Sequence, residues 1–264
     1  MDTAAITDTS APKALTTKEP VNWGLAIAQV ITVAFAYVVA STLPVLPETI
    51  MHIQAGNEGD PEFSSLTLLS SVMLGMLGGL TVAWAWLKHD GHLAQAWNFA
   101  RPDSWRSTLG WATIGLVGTI VIFTAGAQVV EALGLPTPDA TFVLDAVTES
   151  PLTFVLWIVG VAILAAGFGE EMLWRGFLMD RMERLAGLKG QVWLIVLIQA
   201  VLFGLPHAYQ GAGGMIITGS VGLLLGWIRI KQRGNLWAVC LAHAAVDVVM
   251  MSLAYAGELG YFPS

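Results

Sequence analysis

Six ionisable side chains lie within long apolar stretches of the sequence. They are Glu170, Glu171, Arg175, His207, His243 and Asp247. A charge at the centre of a bilayer costs about 2.5–3.5 kcal/mol on insertion scales, so such groups are expected to meet one another or water. Carboxylates and imidazoles together are the groups that activate water, as general bases or as metal ligands. The set indicates a hydrolytic site, and a structural network that holds helices together is the alternative.

The spacing of these residues predicts which of them share a helix face. Glu171 and Arg175 are four residues apart and can form an ion pair. That pairing leaves Glu170 projecting about 100° away on an α-helix, free for another role. His243 and Asp247 are also four residues apart and share a face. Each pair is therefore expected to present its polar groups in one direction.

His207 completes the set from a third helix. It follows Phe203 by one turn, and the adjacent Pro206 is expected to open the backbone there. Depth in the membrane can be compared by counting residues from the cytoplasmic end of each helix, at 1.5 Å per residue. His207 lies about sixteen residues from that end, whereas Glu170 and His243 lie about ten residues from it. A single convergent site therefore requires that the fifth helix is strongly tilted or begins late.

The composition of the chain indicates lipid as its solvent. Of 264 residues, 55% are hydrophobic and 12% are charged, and the mean hydropathy is +0.68. A soluble domain usually carries about 25% charged residues. A single cysteine, Cys240, excludes an intrachain disulfide framework. We interpret Cys240 as a small packed residue rather than as a nucleophile, because nothing indicates a lowered thiol pKa.

Seven apolar stretches are candidates to cross a hydrocarbon core about 30 Å thick, which takes about 20 helical residues. They are Trp23–Leu43, Leu66–Leu87, Leu109–Val130, Pro151–Met179, Val192–Pro206, Gly214–Ile230 and Leu236–Ala256. Isolated strands cannot satisfy their backbone in lipid. The sequence therefore predicts an all-α, polytopic integral membrane bundle of about seven transmembrane helices, preceded by a disordered cytoplasmic tail at 1–21.

The distribution of Lys and Arg predicts the orientation of the bundle. Every basic residue except Arg175 falls on one side of an alternating seven-span map. Because cytoplasmic loops carry the excess of Lys and Arg, that side is cytoplasmic. The N-terminus is therefore expected inside and the C-terminus outside.

Three ordered motifs resemble those of a known family, the CPBP intramembrane proteases (the CAAX-protease and bacteriocin-processing, or Abi, family). They are E-E-M-L-W-R at 170–175, F-G-L-P-H at 203–207 and H-A-A-V-D at 243–247. The resemblance implies a catalytic core at 150–264, with transmembrane helices one to three at 22–149. It also implies an intramembrane endopeptidase in which Glu170 is the general base, assisted by His207, and Glu171 is held by Arg175.

The resemblance leaves the roles of the last motif open. It implies that His243 and Asp247 stabilise an oxyanion or complete a metal site. Many family members have Asn where this chain has Asp247, and an Asp donates a hydrogen bond only when protonated. This difference favours a role in orienting His243 or in binding metal. A zinc ion held by Glu170, His207, His243 and Asp247 and a metal-free, glutamate-activated water are both compatible with these residues.

The expected partners are a membrane-associated protein or peptide substrate and the lipid bilayer, and no nucleic acid. The expected location is a bacterial inner membrane. One alternative is a non-catalytic relative that acts in bacteriocin immunity or peptide binding. Another is a transporter, since intramembrane Glu and His also mark ion pathways; few spans and no internal repeat argue against it.

We predict that a reporter fused at the C-terminus reads as extracytoplasmic and that one fused after Lys189 reads as cytoplasmic. The one-sided distribution of basic residues is the reason. Paired alkaline phosphatase and fluorescent-protein fusions measure this, and finding both fusions on one side would contradict the seven-span map.

Overall fold

A computed structural model describes residues 20–261, which includes only the last two residues of the expected tail at 1–21. Val21, the last of these, is buried, and its backbone N–H donates to the carbonyl of Arg184. The rest of the expected tail lies outside the described residues. Across 20–261 the regular structure is helical throughout, with no strand.

Ten helices are present between residues 20 and 261. They are α1 (Trp23–Thr42), α2 (Leu46–Gln54), α3 (Ser65–His89), α4 (Leu93–Ala96), α5 (Trp105–Ala132), α6 (Thr141–Thr148), α7 (Pro151–Arg184), α8 (Val192–Gly204), α9 (Gly211–Lys231) and α10 (Trp237–Glu258). Within α7, the stretches Trp157–Glu170 and Met172–Leu178 are wound as π-helix. Such winding is rare, and it occurs frequently at functional sites.

The expected polytopic helical bundle is confirmed. Six helical stretches among the described residues are long and apolar enough to cross a membrane, where the sequence predicted about seven. The difference arises because a 3₁₀ segment, Leu205–Gln210, joins α8 and α9 into one stretch of 40 residues. This stretch folds back on itself, and its two arms pack side by side.

Glycines on α9 fix the close packing of these two arms. An added Cβ at Gly222 would lie 2.9 Å from Ala200 Cα, and one at Gly226 would lie 3.1 Å from a Val196 methyl carbon. As residue numbers rise along α9 their partners on α8 fall, so the arms are antiparallel. The chain reverses at Gly211, whose φ of 81° lies in the region that favours glycine.

Helix α7 is longer than its sequence predicted. The expected end at Met179 is wrong, because the helix continues to Arg184. Arg181 pairs with Asp90, at the end of α3, and with Asp180. Because of these contacts, α7 can continue with its arginines buried. The length of an apolar stretch does not predict such an extension.

The longer α7 accounts for the depth of the polar residues. Glu170 lies fourteen residues before Arg184, the observed end (184 minus 170). Helix α10 begins beside the loop between α4 and α5, where the backbone N–H of Leu236 donates to the carbonyl of Asn98. The neighbouring Trp97 indole donates to the carbonyl of Met172 in the middle of α7, at 2.8 Å. A late start of the fifth helix, one of the two expectations, is therefore wrong, since α8 begins at Val192 as predicted.

The basic helix ends are in contact with one another, as an alternating map requires. Arg229 at the end of α9 pairs with Glu183 on α7, and the side chain of Asn235 donates to the carbonyl of Ala100 at 2.9 Å. At the opposite end, the N–H of Asp139 donates to the carbonyl of Gln210. The side on which each end lies stays a prediction.

We predict that Gly222→Ala lowers the thermal unfolding temperature in detergent. Its new Cβ would meet the backbone of Ala200, which cannot move without separating α8 from α9, and overpacking of this kind costs about 1–3 kcal/mol. The matched control is Gly110→Ala on α5, where an added Cβ meets nothing within 4 Å. Equal unfolding temperatures for the two variants would contradict the close packing of the arms.

Candidate active site

The Glu171–Arg175 ion pair that the spacing predicted is present. Arg175 Nη1 donates to Glu171 Oε1 at 2.8 Å, and both side chains are fully buried. The guanidinium also lies over the ring of Phe203 on α8, 4.2 Å from its centroid. A cation placed over an aromatic face is attracted to it, most strongly when desolvated. The pair therefore connects α7 to α8 as well as neutralising its own charge.

His243 lies between two carboxylates. Its Nδ1 is 2.8 Å from Glu171 Oε1, and its Nε2 is 3.8 Å from Asp247 Oδ2. The expected shared face of His243 and Asp247 is therefore present. The contact with Glu171 was not expected from the sequence, because it joins α10 to α7.

Gly167 allows α7 and α10 to approach closely enough for this contact. An added Cβ at Gly167 would lie 2.6 Å from Ala244 Cβ, on the residue next to His243. Close backbone approach at small residues is how membrane helices pack when apolar burial does not drive them together. In the sequence, a glycine one helical turn before Glu171 is the one sign of this close approach. A glycine alone does not indicate which helix packs against it.

His207 lies in the 3₁₀ segment that joins α8 and α9. Its backbone leaves helical geometry (φ −86°, ψ 15°) beside Pro206, as the sequence predicted. Its Nδ1 donates to the carbonyl of Phe203 at 3.0 Å. A carbonyl only accepts, so the proton lies on Nδ1 and the Nε2 of the neutral ring is left as an acceptor.

Glu170 and His207 line one cavity of about 320 Å³. This volume is at the lower end of the range for small-molecule sites, about 300–1,000 Å³. Its remaining wall is mainly apolar and includes Val33 on α1, Met76 on α3 and Leu173 on α7. The cavity therefore combines a carboxylate and an imidazole with an apolar surface.

The six expected site residues lie near one another, and Glu170 is within electrostatic reach of both His243 and Asp247. Two groups can be distinguished: Glu170 and His207 line the cavity, and the other four form a network beside it, of which Glu171 and Arg175 are fully buried. The ring of Phe203 lies between the groups, with its centroid 5.4 Å from that of His207 and 6.2 Å from that of His243. In the sequence, Phe203 is the first residue of a motif. In the structure, its ring separates the two groups.

Tyr37 also lines the cavity, although no feature of the sequence predicts it. It lies on α1 and lines the same cavity as Glu170 and His207. No motif marks it, because the three motifs are confined to residues 170–247. Only the packing of α1 on α3 and α7 brings it to the site.

The arrangement of donors does not fit the expected zinc site. Among residues 20–261, no group of three or more His, Cys, Asp or Glu side chains is placed to hold a metal ion. Both nitrogens of His243 face carboxylates, and Glu170 and His207 provide only two ligands at the cavity, where catalytic zinc takes three. Zinc binding stays a prediction.

Six helical stretches among residues 20–261 that are long and apolar enough to cross a membrane support an integral, multi-pass membrane protein. Residues 151–249 match the family model described as type II CAAX prenyl endopeptidase Rce1-like. This segment is therefore a domain of the CPBP family, and the resemblance read from the three motifs is confirmed. No curated protein and no solved structure matches the chain. The family implies an intramembrane endopeptidase that acts on a membrane-associated protein or peptide.

We predict that Glu171→Ala strongly destabilises the fold. It leaves the fully buried Arg175 without its carboxylate, and removing one partner of a buried ion pair costs about 3–5 kcal/mol. Thermal unfolding of the purified protein measures this, with Glu258→Ala, an exposed change at the end of α10, as the control. Adding Arg175→Met to Glu171→Ala should recover part of the loss. Wild-type stability of Glu171→Ala would contradict the energetic role of the pair.

Proposed function

We propose that this protein is an intramembrane endopeptidase that hydrolyses a peptide bond in a membrane-associated protein or peptide, using a water activated by Glu170 and His207. The observation that carries the proposal is that Glu170 and His207 line one cavity within a domain of an endopeptidase family. A carboxylate and an imidazole acceptor that share a cavity can hold one water molecule between them. The surrounding apolar wall suits a substrate segment that enters from lipid.

In this mechanism Glu170 is the general base. Its carboxylate takes a proton from the water as the water oxygen attacks the carbonyl carbon of the scissile bond. Nε2 of His207 accepts a hydrogen bond from the same water and orients it, because Nδ1 is committed to Phe203. Glu170 then passes its proton to the leaving nitrogen as the C–N bond breaks, which yields a new carboxyl group and a new amine.

The neighbouring network has a positioning role in this proposal. Glu171 accepts from both Arg175 and His243, which holds α7, α8 and α10 in one arrangement around the cavity. Asp247 faces His243, so it orients that ring, one of the two roles expected for it. Because Glu171 points into this network, its neighbour Glu170 is turned toward the cavity.

A non-catalytic role in peptide binding or bacteriocin immunity is the alternative. It requires only the apolar cavity, and it assigns no chemical role to Glu170 or His207. The two functions are therefore distinguished by single substitutions that leave the cavity wall intact. We place the protein in a bacterial inner membrane as part of the same proposal.

We predict that Glu170→Ala and His207→Ala each abolish cleavage while the bundle stays folded. Removing a general base typically costs about 10²–10⁴-fold in rate. The double variant should lose little more than either single one, because groups that act as a unit are strongly non-additive. The measurements are thermal unfolding in detergent and cleavage of a fluorogenic farnesylated CAAX peptide, with the exposed His89→Ala as the control.

Two further measurements on the same system sharpen this prediction. Proteomics of membranes should show processed termini that disappear in a Glu170→Ala background, whichever substrate is native. Elemental analysis of the purified wild type tests zinc: about one zinc per chain, lost in the His207→Ala variant, would support the metal alternative. Near wild-type cleavage by Glu170→Ala, or no cleavage in either assay, would overturn the endopeptidase proposal in favour of binding.

A further inference from the structure

Four polar side chains line the cavity, and they divide by hydrogen-bonding character. Glu170 and Nε2 of His207 are acceptors in the proposed mechanism, whereas Tyr37 and Trp174 carry an O–H and an N–H donor. Attack of water on a carbonyl places negative charge on the carbonyl oxygen. Preorganised donors aimed at that oxygen are usually a large contribution to catalysis. Tyr37 and Trp174 are the two side chains of the cavity wall with a donor for this role.

The two residues expected to stabilise the oxyanion, His243 and Asp247, are not among those that line the cavity. Nδ1 of His243 donates to Glu171, and Nε2 lies 3.8 Å from Asp247 Oδ2, which is beyond hydrogen-bond distance. Asp247 is an acceptor when ionised. Neither His243 nor Asp247 lines the cavity that Glu170 and His207 share. The donor must therefore come from elsewhere in the cavity wall.

Tyr37 is held against the cavity by two glycines of α3. An added Cβ at Gly75 would lie 3.2 Å from Tyr37 Cζ, and one at Gly79 would lie 3.5 Å from Tyr37 Cβ. The phenol ring therefore packs directly on the face of α3 where side chains are missing. Among residues 20–261 no hydrogen bond occupies its hydroxyl, which leaves that group available to a ligand.

Trp174, the other donor, is packed into the neighbouring network. Its ring meets Phe203 edge-on, with centroids 5.7 Å apart, and Phe203 in turn lies under Arg175. We propose that the Tyr37 hydroxyl donates a hydrogen bond to the carbonyl oxygen of the scissile bond and stabilises the oxyanion that forms there. The proposal rests on the proposed endopeptidase function and adds a catalytic residue to it.

This assignment gives the N-terminal part of the chain a catalytic role. Tyr37 lies on α1, outside residues 151–249 that match the family model. The packing of α1 on α3 would then complete the active site that α7 and α8 begin. The segment 22–149 would be required for chemistry as well as for anchoring.

The experiment compares Tyr37→Phe with wild type in the farnesylated-peptide assay. Loss of one oxyanion donor should lower kcat about 10²–10³-fold, with KM within a few-fold of wild type and an unchanged unfolding temperature, because the ring and its packing stay. The matched control is Tyr255→Phe on α10, whose ring stacks on Phe154 away from the cavity, and it should keep full activity. Trp174→Phe removes the other donor of the cavity wall and is the comparison that separates the two candidates.

The outcomes separate this proposal from the one on which it rests. Cleavage by wild type with an unchanged kcat for Tyr37→Phe would overturn the role of Tyr37 and leave the endopeptidase standing. A raised KM at constant kcat would also overturn it, because the hydroxyl would then bind substrate and transition state equally. A large loss of kcat in Trp174→Phe alone would assign the donor to Trp174. No cleavage by wild type in this assay or in the proteomic one would overturn both proposals.

Discussion

A fully buried guanidinium inside a membrane bundle is the constraint on which the rest of the site depends. Arg175 cannot lose its charge, so the fold must provide a carboxylate and an aromatic face next to it. Glu171 provides the first and Phe203 the second. Since the same Glu171 oxygen also meets His243, one charge requirement fixes three helices relative to one another.

Glycine makes that arrangement geometrically accessible. The contact between Glu171 and His243 requires the backbones of α7 and α10 to approach, and Gly167 removes the side chain that would prevent it. Gly222 has the same effect between α9 and α8, which brings Phe203 under Arg175. Polar contacts and close packing are thus coupled, because a longer helix separation would break the ion-pair network as well as the packing.

The sequence predicts local relations well and distant ones poorly. The Glu171–Arg175 pair and the break in the helix at Pro206 follow from spacing and from the chemistry of proline, and the structure has both. The polytopic helical class follows from apolar stretches. The hydrogen bond between Glu171 and His243 joins residues 72 positions apart, and no spacing rule reaches that far.

Two further errors have physical causes of the same kind. The apolar stretch ends at Met179, but α7 continues to Arg184, because Asp90 from another helix neutralises Arg181. Tyr37 was missed because its helix is an ordinary apolar span in sequence terms. In both cases a partner contributed by a distant element changes what a side chain can do.

The two adjacent glutamates show how a small membrane bundle separates chemistry from stability. Neighbouring residues of a helix project in different directions, so Glu170 and Glu171 face different surroundings. Glu171 faces Arg175 and His243, and its charge is balanced there, whereas Glu170 faces an apolar cavity with His207. A carboxylate held in an ion pair is a poorer base than one without a cationic partner, because the cation favours its charged form. Placing the two side by side lets the stabilising pair fix the backbone from which the reactive carboxylate projects.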